Sequence, residues 1–301
     1  MFDVGRLFCW GLGPHRETGH VMSSPEAAKL QTFLIQPRQG LAALDLRELW
    51  SYRDLLYFLV WRNVKVLYKQ TVLGFGWAVI RPLSLMIIFS IVFGRLSRGP
   101  SDGMPYPIFA YAALIPWTYF SSTITGATSS LIGSSNLITK VYFPRILMPM
   151  STIVSALVDF IIAFSLIIIL LPFYRVVPSS SLFLLPIPFA LMVLTAAGIG
   201  LWLSALAVQF RDVRFAMSFI TLILMFAAPI AWPSSKISGL YRYIYGLYPM
   251  GGVVEGFRSC LLDSAPMPWD LMMTGWLSAI VIFASGIIFF RRMERAFADV
   301  I

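Results

Sequence analysis

The run MSTIVSALVDFIIAFSLIIILL, Met150–Leu171, decides the fold: a single charge, Asp159, interrupts an otherwise apolar stretch. About 20 helical residues cross the hydrocarbon core of a bilayer, and this run is long enough to do so. A soluble helix shows water a polar face, whereas a helix apolar on all sides belongs in a large core or a membrane. Comparable runs recur on both sides, at about 76–93, 108–132, 182–208, 215–231 and 271–290. Six spans are therefore expected.

Composition agrees. Of 301 residues, 58% are hydrophobic and only 12% charged, with mean hydropathy +0.79. A soluble domain carries about a quarter charged residues, so a water-facing surface cannot be built here. The fold class is an all-α integral membrane protein. The net charge of +9 sits between apolar runs, as in cytoplasmic loops, and not on one soluble face. Nucleic acid is therefore not an expected partner. Cys9 and Cys260 fit no metal or disulfide spacing, and the topology puts them on opposite sides of the membrane.

Residues 1–40 lack periodicity and are rich in turn formers, so a disordered N-terminal tail is expected. No cleavable signal peptide is expected, and Met22 is an alternative start. At 45–70 the pattern becomes amphipathic. Leu49, Leu56, Val60, Val64 and Leu67 recur at helical spacing, with Arg47, Ser51, Asp54, Arg62, Lys65 and Lys69 opposite. Such a helix lies at the membrane interface with its cations near anionic headgroups, or packs on a soluble partner. Lys and Arg set the orientation. One side would hold Arg62, Lys65, Lys69, Lys140, Arg145, Arg211, Arg214, Arg291, Arg292 and Arg295. The other would hold Arg95, Arg98, Arg175, Lys236, Arg242 and Arg258, partly offset by Asp102, Glu255, Asp263 and Asp270. The bias places both termini in the cytoplasm.

No phosphate loop, zinc-binding helix motif or nucleophile elbow occurs, so neither a nucleotide site nor catalysis is expected of this chain. No metal site is expected either. An ion-coupled carrier should place several ionisable groups inside its spans. Only Asp159 lies mid-span, with Arg81 near an end; Asp159 is either a relay or gate residue or, the reading a lone acid without a relay partner favours, a carboxylate bonded to a neighbouring helix. The motive force should come from a partner gripping cytoplasmic loops. Asn136–Pro149 puts Tyr142 and Phe143 beside Lys140 and Arg145 around Pro144, as anchors for another protein or for the headgroup belt. Gln209–Arg214 is a second candidate contact. The hydroxyls Thr118, Ser121, Ser122, Thr123, Thr125, Thr128, Ser129 and Ser130 either line a polar conduit, or bond their own helix and admit close neighbours. Trp77, Trp117, Tyr119, Phe120 and Trp232 offer faces suited to sugar rings. Pro249–Ser259 is too apolar for a loop; short helices dipping back into the membrane fit it, with Glu255 and Arg258 spaced to pair on one helical face.

Leu73–Pro82 followed by Ile88–Gly94, Tyr106–Phe120, Asn136–Pro149 and Tyr248–Met250 with Glu255 and Arg258 occur in order. Together they resemble the permease subunits of type-2 ABC exporters of polysaccharide, over about residues 45–295. The resemblance implies a type-2 transmembrane domain at 75–295, with six spans, a preceding interfacial helix, and re-entrant outer helices before the last span. It implies a homodimer in the bacterial inner membrane, coupled to two ATPase subunits that bind ATP and magnesium, this chain binding no cofactor. The cargo would be an undecaprenyl-linked, O-antigen-like polysaccharide. By the same resemblance, Lys140, Tyr142, Phe143, Pro144, Arg145, Arg211 and Arg214 would couple to the ATPase. Trp77, Trp117, Tyr119, Phe120, Phe219 and Phe226 would line the channel, and Glu255 with Arg258 would form the outer gate. The rival readings are a type-2 permease for lipids or drugs and, behind it, a polytopic glycan-modifying enzyme.

Overall fold

The structure, a computed structural model, describes residues 46–69, 71, 73–96, 101–177, 180–262, 265–294 and 297. The expected tail at 1–40 lies outside these residues with Cys9 and Met22, as do Arg98, Asp263 and Arg295.

All regular elements among the described residues are helical. They are α1 Leu46–Ser51, α2 Arg53–Tyr68, α3 Gly76–Phe89, α4 Tyr106–Ser130, α5 Ser135–Ile138, α6 Leu147–Phe173, α7 Pro186–Gln209, α8 Asp212–Ala227, α9 Leu240–Gly246, α10 Pro249–Leu262 and α11 Trp269–Glu294. The expected amphipathic segment is thus two helices, parted at Tyr52, whose φ of −97° and ψ of 15° leave the helical region. α3 runs on through a π-helical stretch, Ser90–Leu96.

Four stretches are long and apolar enough to cross a membrane: Gly76–Leu96, Leu147–Phe173, Ser181–Gln209 and Trp269–Glu294. α4 and α8 stand where the other two spans are expected. α4 has 25 residues, but its tyrosines, prolines and hydroxyls dilute its hydropathy. α8 has 16 residues, short of the roughly 20 that a straight span needs.

α4 is the axis of the fold, with α3, α6, α7, α8 and α10 all packed on it. Its residues from Ile108 to Trp117 are all buried, so its aromatic and alanine side chains form a core on every side. Two tyrosines staple it to α6: Tyr111 donates to Ala163 O at 2.8 Å and Tyr119 to Ile153 O at 3.2 Å. α7 and α11 approach most closely where two glycines meet. A Cβ on Gly198 would lie 2.9 Å from Phe283 Cα, and one on Gly286 would lie 2.8 Å from Gly198 O. Small residues let helix backbones touch, which is how helices associate without a hydrophobic driving force in lipid. Beside that contact Trp202 donates to Ser285 Oγ at 3.1 Å and stacks on Phe289 at 4.1 Å.

The bundle has two distinguishable ends. At one end a cluster joins Leu59 of α2, Leu131 after α4, Phe143 and Ile146 of the 139–146 loop, Leu147 of α6, Val208 of α7, and Phe290 and Phe297. At the other lies α10, every residue of which is buried.

Candidate functional site

The α2 end gathers what the sequence spread over the chain. Arg62, Lys65 and Lys69 follow α2, Lys140 and Arg145 lie in the loop before α6, Arg211 and Arg214 at the α7–α8 junction, and Arg291 and Arg292 close α11. The shared cluster under these segments puts the cations at one end of the molecule.

Within the loop, the residues expected to touch another protein divide. Lys140, Val141 and Tyr142 are exposed, Tyr142 by 72%. Phe143 and Pro144 are buried, and Phe143 packs in the cluster with Leu59, Phe290 and Phe297. Arg145 is tied to the end of α11: its backbone N–H donates to Glu294 Oε1 at 3.1 Å, and its Nη1 donates to Glu294 O at 2.8 Å. The loop is therefore a clasped element with a protruding tip. Phe143, Pro144 and Arg145 hold it to the bundle, and Lys140 to Tyr142 stand clear. Arg211 and Arg214 are exposed, with Gln209, Phe210 and Asp212 beside them.

The six residues expected to line a channel also divide. Trp117, Tyr119 and Phe120 are 3%, 1% and 0% exposed, inside the core, where five other helices pack on α4. Trp77, Phe219 and Phe226 are exposed. The two phenylalanines belong to a stripe on α8, Phe215, Phe219, Leu222, Ile223 and Phe226, and α8 buries only Met217. α4 keeps three hydroxyl residues exposed at helical spacing, Ser122, Thr125 and Ser129. Thr128, between them in sequence, is buried and lies 3.6 Å from Met217 Sδ, so the polar stripe runs beside α8. Most Ser and Thr hydroxyls of α4 return to their own helix, Ser122 of the exposed stripe included: Thr118 donates to Ile115 O, Ser121 to Thr118 O, Ser122 to Tyr119 O, Thr128 to Ile124 O and Ser130 to Ala127 O.

At the far end, Glu255 and Arg258 pair across one turn of α10 at 3.0 Å, as their spacing predicts. The pair is 7% and 1% exposed and serves as a hub. Arg258 donates to Ile230 O at 2.7 Å, Phe109 O at 3.3 Å and Trp232 O at 3.4 Å, and its guanidinium lies 3.6 Å from the Phe109 ring centroid. Glu255 Oε1 also accepts from the Ser234 backbone N–H at 2.9 Å. Three tyrosines extend this net. Tyr106 donates to Ala231 O at 2.9 Å, Tyr245 to Ala227 O at 2.7 Å and Tyr248 to Leu224 O at 3.0 Å. Ala227 O, at the C-terminal end of α8, is thus satisfied, while Leu224 O also accepts from the Ala228 backbone N–H at 3.0 Å. Arg242 of α9 pairs with Asp270, and that hydrogen bond raises its guanidinium above the ordinary value.

Asp159 Oδ1 is buried and has no hydrogen-bond partner among the described residues. Ser155, one turn earlier, donates its hydroxyl to Thr152 O of its own helix at 3.0 Å. The clasp from Arg145 to Glu294 went unread in the sequence because its partners lie 149 residues apart. No group of acids, cysteines and histidines suited to a metal occurs among the described residues. Cys260 is a buried free thiol.

A family model described as ABC-2 type transporter matches residues 54–262. The chain is 29% identical over 253 residues to the O-antigen export system permease protein RfbA of Myxococcus xanthus, covering 83% of this chain and 96% of that one. An RfbA of Klebsiella pneumoniae is 24% identical over 249 residues, 82% of this chain and 95% of its own. The polysialic acid transport protein KpsM of Escherichia coli is 23% identical over 209 residues, 67% of this chain and 78% of its own. The chain belongs to the ABC-2 type transporter family, as a transporter permease subunit.

Proposed function

We propose that this chain is the membrane-spanning subunit of an exporter that moves a lipid-linked, O-antigen-like polysaccharide outward across the bacterial inner membrane. The observation that carries the substrate is its similarity to O-antigen export permeases over nearly their whole length. On this reading α4 and α8 complete a set of six spans, α1 and α2 lie at the inner interface, and α9 and α10 dip in from outside. The cations gathered at the α2 end mark the cytoplasmic side, and both termini lie there.

Two copies form the working unit, with a dimer of a separate ATPase that holds ATP and magnesium. The α8 stripe and Trp77 face the seam between copies. Polar side chains exposed on a span are costly against lipid. Ser122, Thr125 and Ser129 therefore belong beside a watery path, with the aromatics of α8 next to them for sugar faces. Lys140, Val141, Tyr142, Arg211 and Arg214 meet the ATPase. Its closure pushes the clasped loop, and α8, which buries only Met217, yields while the hub around Arg258 holds its outer end.

Deleting the gene and fractionating lipid-linked polysaccharide tests the substrate: cytoplasmic accumulation with loss at the surface supports export. Phe219→Ala with Phe226→Ala should lower export several-fold while leaving the thermal midpoint of the purified protein unchanged, because both rings are exposed.

A further inference from the structure

α3 carries a charge that neither the hub nor the coupling loop uses. Trp77, Arg81 and Ser84 are all exposed and follow one another at four- and three-residue spacing, so they share one face of the helix. Pro82, Met86 and Phe89 are buried on its opposite side, against the bundle. Arg81 stands about 7.5 Å beyond Gly76 at 1.5 Å rise per residue, inside a stretch long and apolar enough to cross a membrane. It has no ion-pair or hydrogen-bond partner among the described residues. A charge inside a span is costly against lipid and faces protein or a water-filled cavity. A long side chain can also reach back to the near headgroups. That escape does not serve the exposed Ser84, one turn deeper on the same face. The charge around this face has one sign. No Asp or Glu occurs in Gly76–Leu96 or in α4, and the single acid of α8, Asp212, sits among Arg211 and Arg214 at its first turn.

We propose that Arg81 is a specificity-determining residue that reads charge on the glycan inside the seam, so that the cargo is an anionic polysaccharide whose repeats carry carboxylates. The inference rests on the polysaccharide reading above, in which Trp77 faces the seam and Arg81 and Ser84 therefore face it too. A guanidinium presents a planar fork of donors that matches a carboxylate. Beside it, Trp77 offers a flat face for the sugar ring that bears the acid, and Ser84 offers a hydroxyl. A neutral glycan would bring only its own hydroxyls to this cation, in a path whose span walls hold no acid to balance it. With two copies, two such arginines face one path, and a cleft lined by one sign of charge concentrates cargo of the other sign. The diphosphate that joins glycan to lipid is a second anion able to meet Arg81, and it is common to acidic and neutral cargoes alike.

The full chain, assembled with its ATPase in proteoliposomes, is supplied with ATP and with two cargoes on the same undecaprenyl diphosphate. One is a glucuronate-containing glycan; the other is the same glycan with its carboxyls reduced to alcohols. The parent complex should export the acidic cargo faster. Arg81→Gln, on an exposed side chain that the fold does not need, should lower the ratio of acidic to reduced export by about tenfold. Arg81→Lys, which keeps the charge, should retain part of that ratio. A parent that favours the reduced cargo overturns the proposal. So does an unchanged ratio in Arg81→Gln. With export intact, the arginine would only anchor α3 at the headgroups; with both cargoes lost equally, it would serve their shared diphosphate. Export of neither cargo by the parent complex sinks the polysaccharide reading itself. Export of both at a ratio indifferent to Arg81 sinks this site alone.

Discussion

The charged residues that matter most are bonded, not free. Arg258 serves three carbonyls, an aromatic ring and Glu255 from a position 1% exposed. Removing one partner of a buried pair leaves the other uncompensated, at about 3–5 kcal/mol. Arg258→Met should therefore lower the thermal midpoint of the purified protein sharply, and adding Glu255→Gln should recover part of the loss. Recovery marks an orphaned charge; a double variant as damaged as the single one would mean that the carbonyl contacts dominate. The loop offers a sharper contrast. Phe143→Ala opens a cavity in the α2-end cluster and should cost about 3–5 kcal/mol. Tyr142→Ala, on an exposed tip, should stay within about 0.5 kcal/mol of the parent yet weaken co-purification of the ATPase. The pairing of Glu255 with Arg258 was legible because both lie on one helical turn. The burial of Phe143 was not, because Phe290 and Phe297 approach it from the far end of the chain and nothing local distinguishes it from Tyr142.

Among the elements, the four stretches long and apolar enough to cross a membrane were legible from hydropathy, and α4 and α8 stand where two further spans were expected. Their membrane credentials were not equal, and the reason lies in their roles. α4 tolerates tyrosines, prolines and hydroxyls because five helices shield it. The sequence pattern marks such residues as amphipathic without telling which face meets protein, so Trp117, Tyr119 and Phe120 were expected in a channel and lie in the core instead. α8 is the opposite case, short and buried only at Met217. At the glycine contact between α7 and α11, Gly198→Leu must push a side chain into the Phe283 backbone. Such overpacking should cost about 1–3 kcal/mol or more, read as a lower thermal midpoint. Ser204→Ala on the same helix, whose hydroxyl bonds only Leu201 O, should change the midpoint little.

For the whole molecule, the account holds that a clasped inner end takes a push from an ATPase and a fixed outer hub converts it into opening of the seam along α8. Arg145 and Glu294 hold the clasp through two separate bonds, Nη1 to Glu294 O and the Arg145 backbone N–H to Glu294 Oε1. Arg145→Ala and Glu294→Ala each remove one of them, so each should reduce export and the double variant should fall below either single one. Surface polysaccharide unchanged in the double variant would mean that the clasp plays no part in export. The most direct test of the central claim is deletion of the gene in a strain with no second exporter, with lipid-linked polysaccharide followed by fractionation and gel. Glycan should then accumulate on the cytoplasmic side, disappear from the surface, and return fully with the wild-type gene but several-fold less with Phe219→Ala/Phe226→Ala. Unchanged surface glycan would contradict it and leave an ABC-2 permease whose cargo is a smaller lipid or drug.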